Sequence, residues 1–219
     1  MSGVATLFVK TQIPYTGVEL RPHFLLSEFG LRGSALAAFI GPCSVKTDHL
    51  VDWEDRLAHD RIEAKSMVHF IGEFFGSTLV EGVLRQRLLM ATLAQSLNQR
   101  LVRINQNPLP LLRDGDDLFF GSCVSDVSHV SHVSHVSEVP RAIGGSEKRK
   151  LSVSIVTASP VSQLLHTGIN IDPEGAPVPA IGLQELGIDP YEWVPEVLES
   201  FATEWESMVW ACAKVRPVM

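Results

Sequence analysis

The apolar positions of this chain change period along its length, and the changes divide it into elements. Leu79, Val83, Leu84, Leu88, Leu93, Leu97 and Leu101 recur at spacings near 3.6 residues, the period of one helix face. Thr78 and Glu81 precede them at the spacing of a capping box, in which each side chain satisfies the other residue's backbone N–H. This predicts the most strongly specified helix of the chain. A second long helix is predicted from Asp189 as N-cap and Pro190 at its first position, with Val194, Leu198, Phe201, Trp205, Val209 and Cys212 on its apolar side.

Elsewhere the pattern is that of strands. VATLFVK (4–10), the buried run SALAAFIG (34–41) and SMVHFIGEFF (66–75) read as strands, and HFLLSEFG (23–30) as a short helix closed by Gly30. The stretch from Val45 to Arg61 is polar and irregular. Beyond a proline-marked segment, DDLFF, LSVSIVTAS (151–159) and SQLLHTGINI (162–171) are predicted strands; in the second, Leu151, Val153 and Ile155 alternate with Ser152, Ser154 and Val156. The order β, α, β, β, long α, several β, α predicts an α/β (α+β) domain. Its sheet is mixed and largely antiparallel with packed helices, because regular βαβ winding would alternate the elements strictly.

Composition narrows the partners. At 219 residues the chain has room for a single domain spanning 1–219. A hydrophobic share of 45% and a charged share of 20% are ordinary for a globular protein. The net charge of −7 and pI near 5.6 argue against a nucleic-acid partner, the basic run EKRK (147–150) being only a local patch. No apolar stretch approaches the roughly 20 residues of a membrane span, and the first residues lack a basic stretch followed by a long apolar run. A cytoplasmic chain without a membrane role is expected. Cys43, Cys123 and Cys212 stand far apart, as reduced thiols do. Trp205 and Trp210 suit either a core or a second subunit, which leaves a homodimer open.

Between DDLFF and KRKLSVSI the chain runs VSD, VSH, VSH, VSH, VSE (124–138). It reads as a hairpin whose turn, at about residues 121–147, has been enlarged by low-complexity sequence, an insertion whose closure cost grows only slowly with length. His129, His132 and His135 offer imidazoles to a transition metal, but period three matches neither a strand face nor a helix stripe, and a repetitive loop is the simpler reading. Asp116 and Asp117 form either a tight polar turn or a Mg²⁺ site at a strand mouth. Pairing DDLFF with KLSVSI brings Lys150 beside them, where an ammonium would neutralise an α-phosphate or a substrate carboxylate. Arg21 and His23 form a polar cluster suited to an anion. His69 and His166 fit buried sheet positions as readily as a site, and Cys43 is a nucleophile only if a histidine approaches it. Neither GxGxxG nor GxxxxGK[ST] occurs, so the two common phosphate loops are absent.

Taken together, the strings RPHFLLSEFGLRGSALAAFIGPCSVK, LVDWED, MVHFIGEFF, GDDLFF, KLSVSIVTASPVS, HTGIN and IGLQELGID resemble an uncharacterised family found chiefly in archaea, domain-of-unknown-function family 366 (DUF366). The resemblance covers nearly the whole chain except the VSH insert. It implies a fold similar to the biotin and lipoate protein ligases, which share their catalytic-core architecture with class II aminoacyl-tRNA synthetases. In those ligases an NDL-like motif, a GRKL-like segment whose lysine contacts the acyl-adenylate, and a GIGIN-like strand follow in order. DDL at 116–118, KRKL at 148–151 and TGIN at 167–170 are similar in kind and order. The resemblance carries over Lys150 as the catalytic residue; Asp117 matches the motif's aspartate, Asp116 replaces its asparagine, and Asn170 matches the asparagine of the last motif. The glycine- and arginine-rich loop that wraps the adenylate has only a faint echo in GLRGS at 30–34.

The expected function is a small-molecule site for a nucleotide, a carboxylate or their adenylate, with ATP and Mg²⁺ as cofactors. Lys150 would be catalytic, Asp116 and Asp117 would hold the metal, and Arg21, His23, His69 and Asn170 would bind the ligand. The alternatives are an acyltransferase using Lys150 and Cys43, and a binding or assembly module without catalysis.

Overall fold

Residues 35–41 are buried without a break, because the strand they form is covered on both faces. In the computed structural model, which describes residues 3–104, 111–121 and 148–218, the elements in chain order are β1 (Ala5–Val9), α1 (Phe24–Phe29), β2 (Ala35–Val45), α2 (Trp53–Leu57), β3 (Ile62–Phe75), α3 (Leu79–Ile104), β4 (Leu111–Asp114), β5 (Asp117–Phe120), β6 (Arg149–Lys150), β7 (Ser152–Ala158), β8 (Ser162–Asp172) and α4 (Pro190–Ala213). The main sheet has the order β1-β2-β3-β8-β7 and a smaller one the order β4-β5-β6. Among the described strands only the β1–β2 pair is parallel. The mixed, largely antiparallel sheet with packed helices is the expected fold class.

Strand alternation sends successive side chains to opposite faces. Leu36, Ala38 and Ile40 of β2, Val68 and Phe70 of β3, and Leu165 and Ile169 of β8 meet α3 and α4, whose Leu89, Met90, Leu93, Leu97, Trp193 and Phe201 complete one core. The other face carries Ala35, Ala37, Phe39, Met67 and Ile71, covered by Tyr15, Phe24, Leu25 and Leu50 from the N-terminal segments. Each large side chain so buried contributes about 1.5–3 kcal/mol. Both long helices start as the sequence predicts. Thr78 N donates to Glu81 Oε2 at 2.6 Å and Glu81 N to Thr78 Oγ1 at 3.3 Å, while Asp189 Oδ1 accepts from Tyr191 N at 2.8 Å. Trp205 stacks on Phe74 in the core, whereas Trp210 is 64% exposed. Among the described residues no helix is long and apolar enough to cross a membrane.

Three expectations are revised. The irregular segment contains α2, capped by Asp52, whose Oδ1 accepts from Glu54 N and Asp55 N; a single turn is too short to display a period. The segment before Gly115 supplies a strand, β4, of its own. The hairpin of DDLFF with KLSVSI shrinks to Phe119↔Lys150 and Phe120↔Arg149, since at Leu151 the chain leaves the small sheet and β7 joins the large one. The low-complexity insert, with His129, His132 and His135, lies outside the described residues from 122 to 147.

Residues 13–15 lie alongside β2, with Ile13 N donating to Ile40 O and Tyr15 N to Pro42 O. Gly41 permits this approach, because a Cβ there would stand 1.9 Å from Ile13 O. Gly41→Ala is therefore expected to lower stability by about 3 kcal/mol. In urea unfolding followed by circular dichroism, Gly3→Ala, where a Cβ meets nothing within 4 Å, should leave the midpoint unchanged.

Candidate functional site

A cavity of about 350 Å³ opens where β7 and β8, the start of β3, the α2 segment and the loop at 176–180 meet. That volume is within the range of small-molecule sites. Its walls are apolar at Leu50, Ile62, Met67, Val153, Ile155 and Ala180, and polar at Asp55, Asp117, Lys150, His166 and Asn170.

Lys150 is placed by its backbone. Its N–H donates to Pro179 O at 2.9 Å, and its carbonyl accepts from Ile181 N at 3.1 Å and from Asn170 Nδ2 at 3.2 Å. The same Asn170 amide donates to Ile181 O at 3.2 Å. Asn170 therefore ties β8, β6 and the 180s loop to one another beside the lysine. Lys150 Nζ then reaches Asp117 Oδ2 at 2.8 Å, with both side chains only partly exposed at 31% and 23%. Burial raises the Asp117 carboxyl above its ordinary range, and the lysine only partly offsets this. Asp116 turns to other partners, Arg87 Nη1 at 3.3 Å and Gln86 Nε2 at 3.2 Å.

Asp55 stands on the α2 side of the cavity. Its carboxyl is raised by burial first and by neighbouring Asp52 and Asp60 next; the field of Lys150 also reaches it and acts in the opposite sense. Behind the cavity lies a histidine pair. His69 Nε2 is 3.3 Å from Gly41 O and its Nδ1 is 3.1 Å from His166 Nε2. Tyr15 stacks on His166 at 3.7 Å between ring centroids. Burial lowers both histidines, His69 to about 3 and His166 well below its usual value, so both rings are neutral.

The expected residues are thus only partly brought together. Lys150, Asp116, Asp117 and Asn170 border the cavity. His69 is fully buried behind His166 and is not among the lining residues. Arg21 pairs with Glu28 at 3.0 Å and the His23 backbone N–H donates to Glu73. Glu73 lies six residues along β3 from Met67, about 20 Å at ~3.3 Å per residue, so Arg21 and His23 belong to the far end of the sheet. Asp116 and Asp117 are held by separate cations, Arg87 and Lys150, and as arranged they do not fit one magnesium ion. No set of three or more potential metal-ligating side chains occurs among the described residues. Cys43 is buried under Tyr15, with its thiol pushed up to about 12, which removes it as a nucleophile. Sequence reasoning left His166 undecided between a buried sheet position and a site, and missed Asp55. The first had a signal: His166, Gly168 and Asn170 alternate along one strand face.

The chain matches the family described as Domain of unknown function (DUF366) over residues 4–139 and 146–216. It is 26% identical to "Uncharacterized protein MJ0805" of Methanocaldococcus jannaschii over 99% of this chain and 86% of that one. A solved structure described as "Protein of Unknown Function from Pyrococcus horikoshi" superimposes with a TM-score of 0.79 at 32% identity, covering 99% of this chain and all of that one. A biotin protein ligase from Aquifex aeolicus, in complex with biotin and ATP, aligns at 15% identity with a TM-score of 0.46, over 91% of this chain and 70% of the ligase.

The buried histidine pair makes stability depend on pH. Both folded-state pKa values lie below the unfolded value near 6.5, so below pH ~6.5 the unfolded chain takes up protons that the native state refuses. Stability should fall as the pH drops below ~6.5, by up to about 1.4 kcal/mol per pH unit from His69 down to about pH 3, with His166 acting in the same direction. Urea unfolding over that range checks this, and His69→Gln should make the slope shallower.

Proposed function

This chain belongs to the DUF366 family, and we propose that it binds a small carboxylate-bearing molecule in the cavity and activates it with ATP as an acyl-adenylate. The observation that carries the reading is Lys150. Its backbone is held on both edges, its ammonium is partly desolvated beside Asp117, and it borders a cavity of ligand size. An ammonium in such surroundings interacts with an anionic ligand more strongly than one in bulk water. Adenylation asks for charge compensation at the α-phosphate and for positioning, not for a protein nucleophile. The order DDL, KRKL, TGIN supports the same assignment.

The roles of the surrounding groups follow from their contacts. Asp117 orients Lys150 until the ligand anion shares the ammonium. Asn170 is a positioning residue, acting through the Lys150 carbonyl. ATP is assigned on the lysine and the motif order alone; magnesium is not assigned to Asp116 and Asp117. The acyltransferase reading through Cys43 is set aside because that thiol is buried and protonated. Ligand binding without adenylation is the second reading. It is favoured by the carboxylates of the cavity wall, which a triphosphate would meet unscreened.

The test is ATP–pyrophosphate exchange with Mg²⁺ across biotin, lipoate, fatty acids and amino acids. Exchange with one acid, reduced about 100-fold or more in Lys150→Ala, is the expected result. No exchange with any acid, and no thermal shift from ATP, would overturn adenylation. Alkylation of the protein with iodoacetamide should leave the exchange rate unchanged, since Cys43 is buried.

A further inference from the structure

The charges around the cavity do not balance. Asp52, Asp55, Asp60, Glu63, Asp116 and Asp117 line it, against Arg61 and Lys150. Three carboxylates are matched: Glu63 by Arg61 at 3.2 Å, Asp117 by Lys150 at 2.8 Å and Asp116 by Arg87 at 3.3 Å. Asp52 is spent on the first turn of α2. Asp55 and Asp60 have no cation within ion-pair distance among the described residues. A simple acid entering this space would satisfy Lys150 and leave that wall uncompensated.

The floor of the cavity makes an independent demand. The Gly41 carbonyl only accepts hydrogen bonds, so the proton of His69 sits on Nε2 and its Nδ1 is a bare lone pair. His166 Nε2 must then donate to that lone pair, which leaves His166 Nδ1 as an acceptor in a ring kept neutral. His166 is 2% exposed, lines the cavity, and has no hydrogen bond to Nδ1 from a described residue. The matching ligand group is therefore a donor.

We propose that the cavity selects a ligand that carries a protonated amine together with its carboxylate, a small amino acid or amino-substituted acid, with the amine on the Asp55 and His166 side and the carboxylate towards Lys150. This rests on the reading of Lys150 as the carboxylate partner and names the substrate class of that site. The ammonium of such a zwitterion offsets one of the unpaired carboxylates, that of Asp55, and donates where His166 can only accept. The apolar lining between these poles, Met67, Val153 and Ile155, suits a short hydrocarbon linker.

Isothermal titration calorimetry on the full chain with hexanoate, 2-aminohexanoate, 6-aminohexanoate and hexylamine tests the class. At least one of the two amino acids should bind about 10-fold or more tightly than both hexanoate and hexylamine. Asp55→Asn should bring that amino acid near parity with hexanoate without weakening hexanoate binding; Asp55 is part-exposed and makes no side-chain contact that the fold needs. Hexanoate binding as tightly as both amino acids overturns the amine assignment. If that hexanoate binding is lost in Lys150→Ala, the carboxylate reading survives. Absence of binding by all four compounds overturns both.

Discussion

The side-chain amide of Asn170 is the contact on which the site depends. Its two N–H groups hold the carbonyls of Lys150 and Ile181, while its backbone N–H donates to Leu151 O and its carbonyl accepts from Leu183 N. Three segments, residues 150–151, residues 181–183 and β8 itself, are thereby fixed around one residue at the end of β8. Each bond contributes only about 1 kcal/mol net, but leaving a buried carbonyl without its donor costs about 1–3 kcal/mol. The arrangement therefore matters more for position than for stability. It fixes where the chain passes from the small sheet to the large one, and the lysine at that crossing is the one that borders the cavity.

The two faces of the main sheet divide the work. One is an apolar core against α3 and α4, and it holds the larger set of buried apolar side chains. The other is thinner, closed by α1, residues 13–15 and the α2 segment, and it holds the polar residues. Gly41 lets Tyr15 lie close to β2, Tyr15 covers the histidines, and the Gly41 carbonyl sets the tautomer of both rings. A backbone constraint on one strand is thus transmitted to the hydrogen-bonding character of the cavity floor, two strands away. Burial keeps the rings neutral, so the acceptor persists at neutral pH.

What was legible in the sequence was local. The Thr78–Glu81 box and the Asp189–Pro190 start are decided within one helical turn, and the structure places both helices where those residues require. Lys150 and Asp117 were legible because the pairing of DDLFF with KLSVSI brings them together, whereas Asn170 came from the resemblance of TGIN to the last ligase motif; all three border the cavity. Arg21 and His23 were not, since a polar cluster in a loop says nothing of which end of a sheet the loop will reach. Asp55 was hidden by the brevity of α2. The partners of Asp116 were hidden because Arg87 lies on a helix whose packing against β5 is set by the tertiary fold alone.

Ligand binding at this site should take place at the Lys150 ammonium. The most direct measurement is the side-chain ammonium spectrum of ¹⁵N-lysine-labelled protein, with the Lys150 signal identified by its loss in Lys150→Arg, recorded during titration with the hexyl compound that binds most tightly. A saturable shift of the Lys150 resonance, with those of Lys65 and Lys148 unmoved, is the predicted result. Saturation of binding with no change at Lys150 would contradict the account.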